Sequence, residues 1–138
     1  MTLDKRWGSL VAALPHPTWL VELAGRTVVA ANPPSLALLG LAAEALIGQQ
    51  AEHLIATPED LAFWDEAAAG AAGRLRSDTV VCTADGRTIY VDRSIDPITP
   101  PGAGRPSHCV VTLIDRSSAQ QAENAREELL AELQATLE

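Results

Sequence analysis

The side chains able to do chemistry are few and scattered through this 138-residue chain. His16, His53 and His108 each lack a second ligand at the short spacing that a metal site uses. Cys82 and Cys109 make no CxxC pair and read as reduced, buried small hydrophobes. Ser35, Ser77, Ser94 and Ser107 stand outside any nucleophile-elbow context. No glycine-rich loop could cradle a phosphate. The acids Glu59, Asp60, Asp65 and Glu66 follow Thr57-Pro58, a helix start, where carboxylates stabilise the positive end of the helix dipole. That accounts for them without catalysis, and no enzyme is expected in this segment. Asp92 and Arg93 read as structural residues pairing with neighbours across a sheet. Arg93 has a further demand, because it shares the alternation of Ile89, Val91 and Ile95 and must follow them inward. A buried guanidinium needs a carboxylate partner or an anionic ligand.

The chain as a whole narrows the partners. Its net charge is −8, and no cluster of Lys and Arg exists to neutralise phosphates, so neither nucleic acid nor an anionic membrane is expected as partner. No apolar run approaches the roughly 20 residues that span a bilayer. Lys5 and Arg6 precede Trp7 to Leu14, which is too short and too mixed for a signal peptide, so a cytoplasmic location is the expectation. An apolar content of 47 % with 20 % charged residues implies one folded domain rather than disorder.

The elements that would position these residues can be read from periodicity and punctuation. Leu3, Trp7, Leu10, Val11 and Leu14 form the stripe of an amphipathic helix, stopped by Pro15 and Pro17. Thr18 to Leu23 and Thr27 to Ala31 read as a hairpin about Ala24-Gly25-Arg26. Asn32-Pro33-Pro34-Ser35 switches the chain to helix, with Asn32 as N-cap and proline at the first helical position. Gly40 suits the left-handed exit. A short helix over Ala42 to Ile47 ends at Gly48. The helix after Thr57-Pro58-Glu59-Asp60 carries Leu61, Trp64 and Ala68 on one face, and Gly70 and Gly73 end it.

The second half has period two. Thr79 to Thr83 leads into Asp85-Gly86, the favoured pair for a type I′ hairpin turn, and the partner strand runs from Thr88 to Ile95. A third strand, Ser107 to Ile114, is nearly continuously apolar and so demands cover on both faces. Beyond Asp115, Ser118 to Leu137 contains no Gly or Pro, and its apolar stripe is Leu129, Leu130, Leu133 and Leu137. A helix of this length is marginal alone in water and wants a partner.

Element order and local motifs together resemble the PAS domain family. Ala24-Gly25-Arg26-Thr27-Val28-Val29-Ala30-Ala31-Asn32-Pro33 resembles its "DGR…AN" second strand and helix start. Leu39-Gly40 with Glu44 to Gly48 resembles "LLG…seeLiG", and Ala84 to Val91 resembles the "kDG…wv" hairpin. Asp115-Arg116-Ser117 stands where the family has Asp-Ile-Thr. The resemblance spans about residues 8 to 125. It implies an α+β fold: a five-stranded antiparallel sheet with short helices on one face, an N-terminal flanking helix over 1–15, the PAS domain over 16–116 and a signalling helix over 117–138. Leu3 to Leu14 would cover the outer face of the sheet.

The resemblance also implies what cofactors to test. Flavin photosensors of the LOV type carry a reactive cysteine in a stretch that matches Gly48 to Ile55, where this chain has Ala51 at the cysteine position and Glu52 at the phosphate-pairing Arg position. A light-driven thiol adduct is thereby excluded at this place. The haem-ligating histidine of rhizobial oxygen sensors falls near Phe63, which cannot bind iron, so haem is not expected. Noncovalent FAD or a small organic ligand stays compatible, with His53, Trp64 and Arg93 as pocket candidates. The implied function is signal input for a bacterial regulatory protein, a sensor histidine kinase first. A ligand-free dimerisation module of a regulator such as a diguanylate cyclase is the rival. Asp115, Arg116 and Ser117 would pass the signal, Asp115 acting as pivot. The exit helix would pair with its copy in a homodimer and lead to a C-terminal effector, so the 138 residues are expected to be a piece of a longer protein or a free-standing adaptor.

Overall fold

The computed structural model describes residues 9–54, 58–68 and 73–137. Five strands, β1 (Thr18–Glu22), β2 (Thr27–Ala31), β3 (Leu75–Cys82), β4 (Thr88–Ile98) and β5 (His108–Asp115), form one antiparallel sheet in the order β2-β1-β5-β4-β3. The helices are α1 (Pro33–Leu39), α2 (Ala43–Leu46), α3 (Ala51–Leu54), α4 (Pro58–Ala68) and α5 (Ser117–Leu137). The first four lie between the two halves of the sheet in sequence, so β1 and β5 become neighbours only when the chain returns.

The concave face carries the main core. Trp19, Val21, Val81, Ile89, Val91, Ile95, Cys109, Val111 and Leu113 pack there against Leu39, Leu46, Phe63, Trp64 and Ala67 from the helices. Each large side chain buried this fully contributes about 1.5–3 kcal/mol. On the outer face a smaller cluster joins Val11 to Leu20 and Ala30, with Val29, Ile98 and Val110 at its edge. The helical segment 9–12 therefore covers one half of that face. The other half stays open: Val80, Tyr90 and Ile114 are 42, 48 and 48 % exposed. The continuous apolar run of β5 is thus buried on both sides only over its first part. Leu3 and Trp7 lie outside the described residues, as do Gly70 and the side chains of Ala68 and Leu137.

Asn32 is the joint of the first half. Its Oδ1 accepts from Ser35 N at 3.1 Å, capping α1, and from Thr18 N at 2.9 Å. Its Nδ2 donates to the carbonyls of Leu14 and His16 at 3.1 and 2.7 Å. All four bonding positions of the amide are used, as a fully buried amide requires.

Two local expectations are corrected. The β3–β4 turn is not type I′, because Asp85 has negative φ and only Gly86 is left-handed, at φ 87°. Gly86 N donates to Thr83 O, and Thr83 N donates to Arg87 O, the pattern of a type I turn followed by a glycine bulge. This arrangement spares Asp85 a conformation that costs an L-residue energy, while its carboxylate accepts from the Thr83 hydroxyl. On α4 the inward stripe is Asp60, Phe63, Trp64 and Ala67, whereas Leu61 is 43 % exposed. The helix is turned so that an acid faces the core, and the reason lies in β4.

Candidate functional site

The strict alternation of β4 buries Ile89, Val91, Arg93 and Ile95 on the concave face. In register, Arg93 lies between Ser77 of β3 and Leu113 of β5. Its guanidinium reaches across the core to α4. Nη1 bonds the Asp60 carboxylate, Nη2 bonds Ser77 Oγ at 2.8 Å, and Glu59 Oε1 stands 3.9 Å from Nη2. Both side chains of the Arg93–Asp60 pair are 1 % exposed, while Glu59 at 54 % reaches solvent. Water screens almost nothing here, so the pair acts as a strong and geometrically demanding link between sheet and helix.

Beside this pair there is little free space. Trp19, Ala51, Asp60, Trp64, Arg93, Ile95 and Val111 enclose a cavity of about 10 Å³, room for one water at most. Organic ligands occupy pockets of several hundred cubic ångströms. A flavin could enter this conformation only if tryptophans or the ion pair moved aside. Ala51 faces the cavity, so the position that the resemblance matches to a photosensor's cysteine does point inward, carrying a methyl group. Glu52, at the phosphate-pairing position, turns outward and pairs with Arg26 at 3.4 Å, and Arg26 also holds Asp65 at 2.9 Å. Phe63, at the haem-ligand position, is buried edge-on against Trp64 with ring centres 5.1 Å apart.

Of the three pocket candidates, Trp64 and Arg93 meet at the cavity, whereas His53 is exposed on α3. His53 is corrected from pocket candidate to surface residue, because α3 is a single turn whose inward position is taken by Ala51. Among the described residues no group of three His, Cys, Asp or Glu could hold a metal ion.

A second cluster sits on the outer face, where β5 hands over to α5. Asp115 is exposed, and its Oδ1 accepts from Ser117 N at 2.8 Å, a local bond that caps the helix start. Arg116 instead reaches the sheet. Its backbone N donates to Tyr90 O at 2.7 Å, and its Nη1 lies 3.0 Å from Asp78 Oδ2 and 3.3 Å from Asp92 Oδ1. Asp78 and Asp92 are direct cross-strand partners. Their mutual hydrogen bond raises the Asp92 carboxyl above its ordinary value and, reinforced by Arg116, lowers that of Asp78. The two acids, first Asp92 and then Asp78, hold the Arg116 charge more tightly still. Beyond this root α5 is bare: Leu129, Leu130 and Leu133 are 56, 48 and 50 % exposed.

Two of these residues are invisible to sequence reasoning. Asp60 is hidden inside a helix-start motif that explains it locally, and its only advance signal is the need of Arg93 for a carboxylate. Asp78 carries no signal, since its role depends on strand register.

Solved structures share this architecture. The PAS domain of a Colwellia psychrerythraea protein superposes with TM-score 0.65 at 17 % identity, over 86 % of this chain and 99 % of that one. The LOV domain of the blue-light activated histidine kinase EL346 from Erythrobacter litoralis gives TM-score 0.63 at 13 % identity, over 75 % and 98 %. An RNA-binding light-oxygen-voltage receptor gives 0.72 at 20 % identity over 97 % of this chain, which spans only 38 % of that receptor. No protein-family model matches the chain, and no curated protein matches it in sequence. The chain has the PAS fold.

Proposed function

We propose that this domain is a signal-input module of a bacterial regulatory protein, which passes a change in its core or on its sheet to an effector through α5. The observation that carries this reading is the exit of α5. A helix of 21 residues leaves directly from β5, a central strand of the sheet, and presents an exposed leucine stripe that no part of the described chain covers. An isolated helix of that kind is marginal in water, so pairing with the same helix of a second copy is its simplest stabilisation. A sensor histidine kinase is the first choice of parent, supported by the likeness to a histidine-kinase LOV domain, and a cyclase is the second. A nucleic-acid partner is disfavoured by the net charge of −8.

The ligand-free reading, a PAS module that dimerises and couples without a resident small molecule, is favoured by one specific observation: the cavity beside Trp64 and Arg93 measures only about 10 Å³. Absorbance of the purified protein and native mass spectrometry separate the two. Colour or an added mass supports a bound ligand and overturns the ligand-free reading, and neither signal supports it. Light scattering tests the pairing of α5. The wild type is expected to be dimeric and the Leu129→Glu/Leu133→Glu variant monomeric, and a wild-type monomer would remove the basis of the reading.

A further inference from the structure

The fold leaves open what fixes the direction of α5. The Asp115 carboxylate bonds within its own turn, and the α5 side chains that are described from Gln121 to Thr136 are all exposed. The root of the helix is held by the Arg116 N bond to Tyr90 O, which a single rotation could accommodate, and by the Arg116 guanidinium on two carboxylates of two different strands. Those carboxylates face each other directly across the β3–β4 ladder, like groups whose repulsion is relieved by the hydrogen bond between them and by a cation beside them. Arg116 is 38 % exposed and supplies that cation from the first residues after β5. Both acids are met by one nitrogen, Nη1, whose N–H groups are fixed in the guanidinium plane, so the contact is defined in direction as well as distance.

We propose that Arg116 is an electrostatic latch that sets the angle at which α5 leaves the sheet, with Asp78 and Asp92 as its keeper. Neutralising the keeper or removing the guanidinium frees the helix to swing about Asp115. The latch lies on the open half of the outer face: Asp78 and Asp92 also line a groove of about 360 Å³ with Arg76, Ser94, Thr112 and Ile114. A change in charge at that groove would therefore be felt at the root of the output helix. The signalling purpose of the latch rests on the function proposed above, whereas its mechanics do not.

The test is a distance measurement by double electron–electron resonance. Spin labels are placed at Glu44→Cys and Gln121→Cys, both exposed, in a chain whose native cysteines are replaced, diluted with unlabelled protein to isolate the intramolecular distance. The parent should give one narrow distance. Arg116→Ala and the Asp78→Asn/Asp92→Asn pair should each lose it to a broad distribution, and Arg116→Lys should recover part of it. Molar salt should broaden the parent as well, since exposed ion pairs are screened. Unchanged distributions in both neutralised variants, with circular dichroism showing them folded, would overturn the latch. Should Arg116→Ala fail to fold, the double Asn variant decides alone. Light scattering on the same samples separates the two ideas: a monomer whose distances follow the variants sustains the latch and counts against the signalling reading, and a dimer with invariant distances does the reverse.

Discussion

Arg93 of β4 and Asp60 of α4, 33 residues apart in the chain, form an ion pair that is buried to 1 % exposure on both sides. It crosses from the sheet to α4, beside the small cavity that Trp19 and Trp64 also line. The pair and the two tryptophans beside it leave a cavity of only about 10 Å³ between them.

Asp60→Asn leaves the buried Arg93 charge with only the half-exposed Glu59 carboxylate, 3.9 Å away, as counter-ion. A loss of about 3–5 kcal/mol is expected in urea denaturation. The pair replaced together by apolar residues of similar size, Arg93→Met with Asp60→Leu, should recover most of that loss. If the single variant is as stable as the wild type, the pair does not hold α4 to the sheet.

Trp64→Ala should cost about 3–5 kcal/mol and enlarge the cavity beside Arg93. The enlarged space is walled by Trp19, Ile95 and Val111 and should take up a small aromatic such as indole. Calorimetry is expected to show indole binding to the variant and none to the wild type. Binding to the wild type would mean that the interior opens without mutation.

Asn32→Ala removes the cap of α1 and strips partners from Thr18 N and the carbonyls of Leu14 and His16. The expected loss is about 2–3 kcal/mol, roughly one for the cap and the rest for buried groups left unpaired. Hydrogen exchange should speed first at the start of β1 and in α1. A loss spread evenly over the domain would contradict this assignment.

Burial, with a smaller effect of Asp96, pushes the Cys109 thiol from its ordinary 9.0 up to about 12. The folded state holds this proton more tightly than the unfolded chain. Its contribution to stability is therefore intact below pH 9 and is lost as pH rises toward 12. The urea midpoint should fall above pH 9, and less steeply in Cys109→Ala. At pH 8 a thiol reagent should modify Cys82, which is exposed, and reach Cys109 only in denaturant. Rapid modification of both thiols in the native protein would refute the burial argument.

Much of this was legible from local patterns. Asn32 before two prolines, the punctuating glycines and the alternation of Ile89, Val91, Arg93 and Ile95 each act over a few residues, and those ranges suffice to place five strands and the exit helix. The inward course of Arg93 and its need for an acid follow from period two alone. The errors have a common form. Leu61 was the expected inward residue of α4, His53 a pocket candidate and Cys82 a buried thiol, and the structure exposes all three side chains.

Alternation and capping are properties of neighbouring residues, so strand spans, helix starts and the facing of β4 needed nothing beyond the order of amino acids. Which acid answers Arg93, that two aspartates of β3 and β4 stand opposite one another, and that Arg116 lies over both depend on register and on the return of β5 between β1 and β4. Those are long-range choices: electrostatic energy in a dry interior settles the Arg93–Asp60 pair, strand register sets the exposed Arg116 cluster, and only the assembled sheet expresses them.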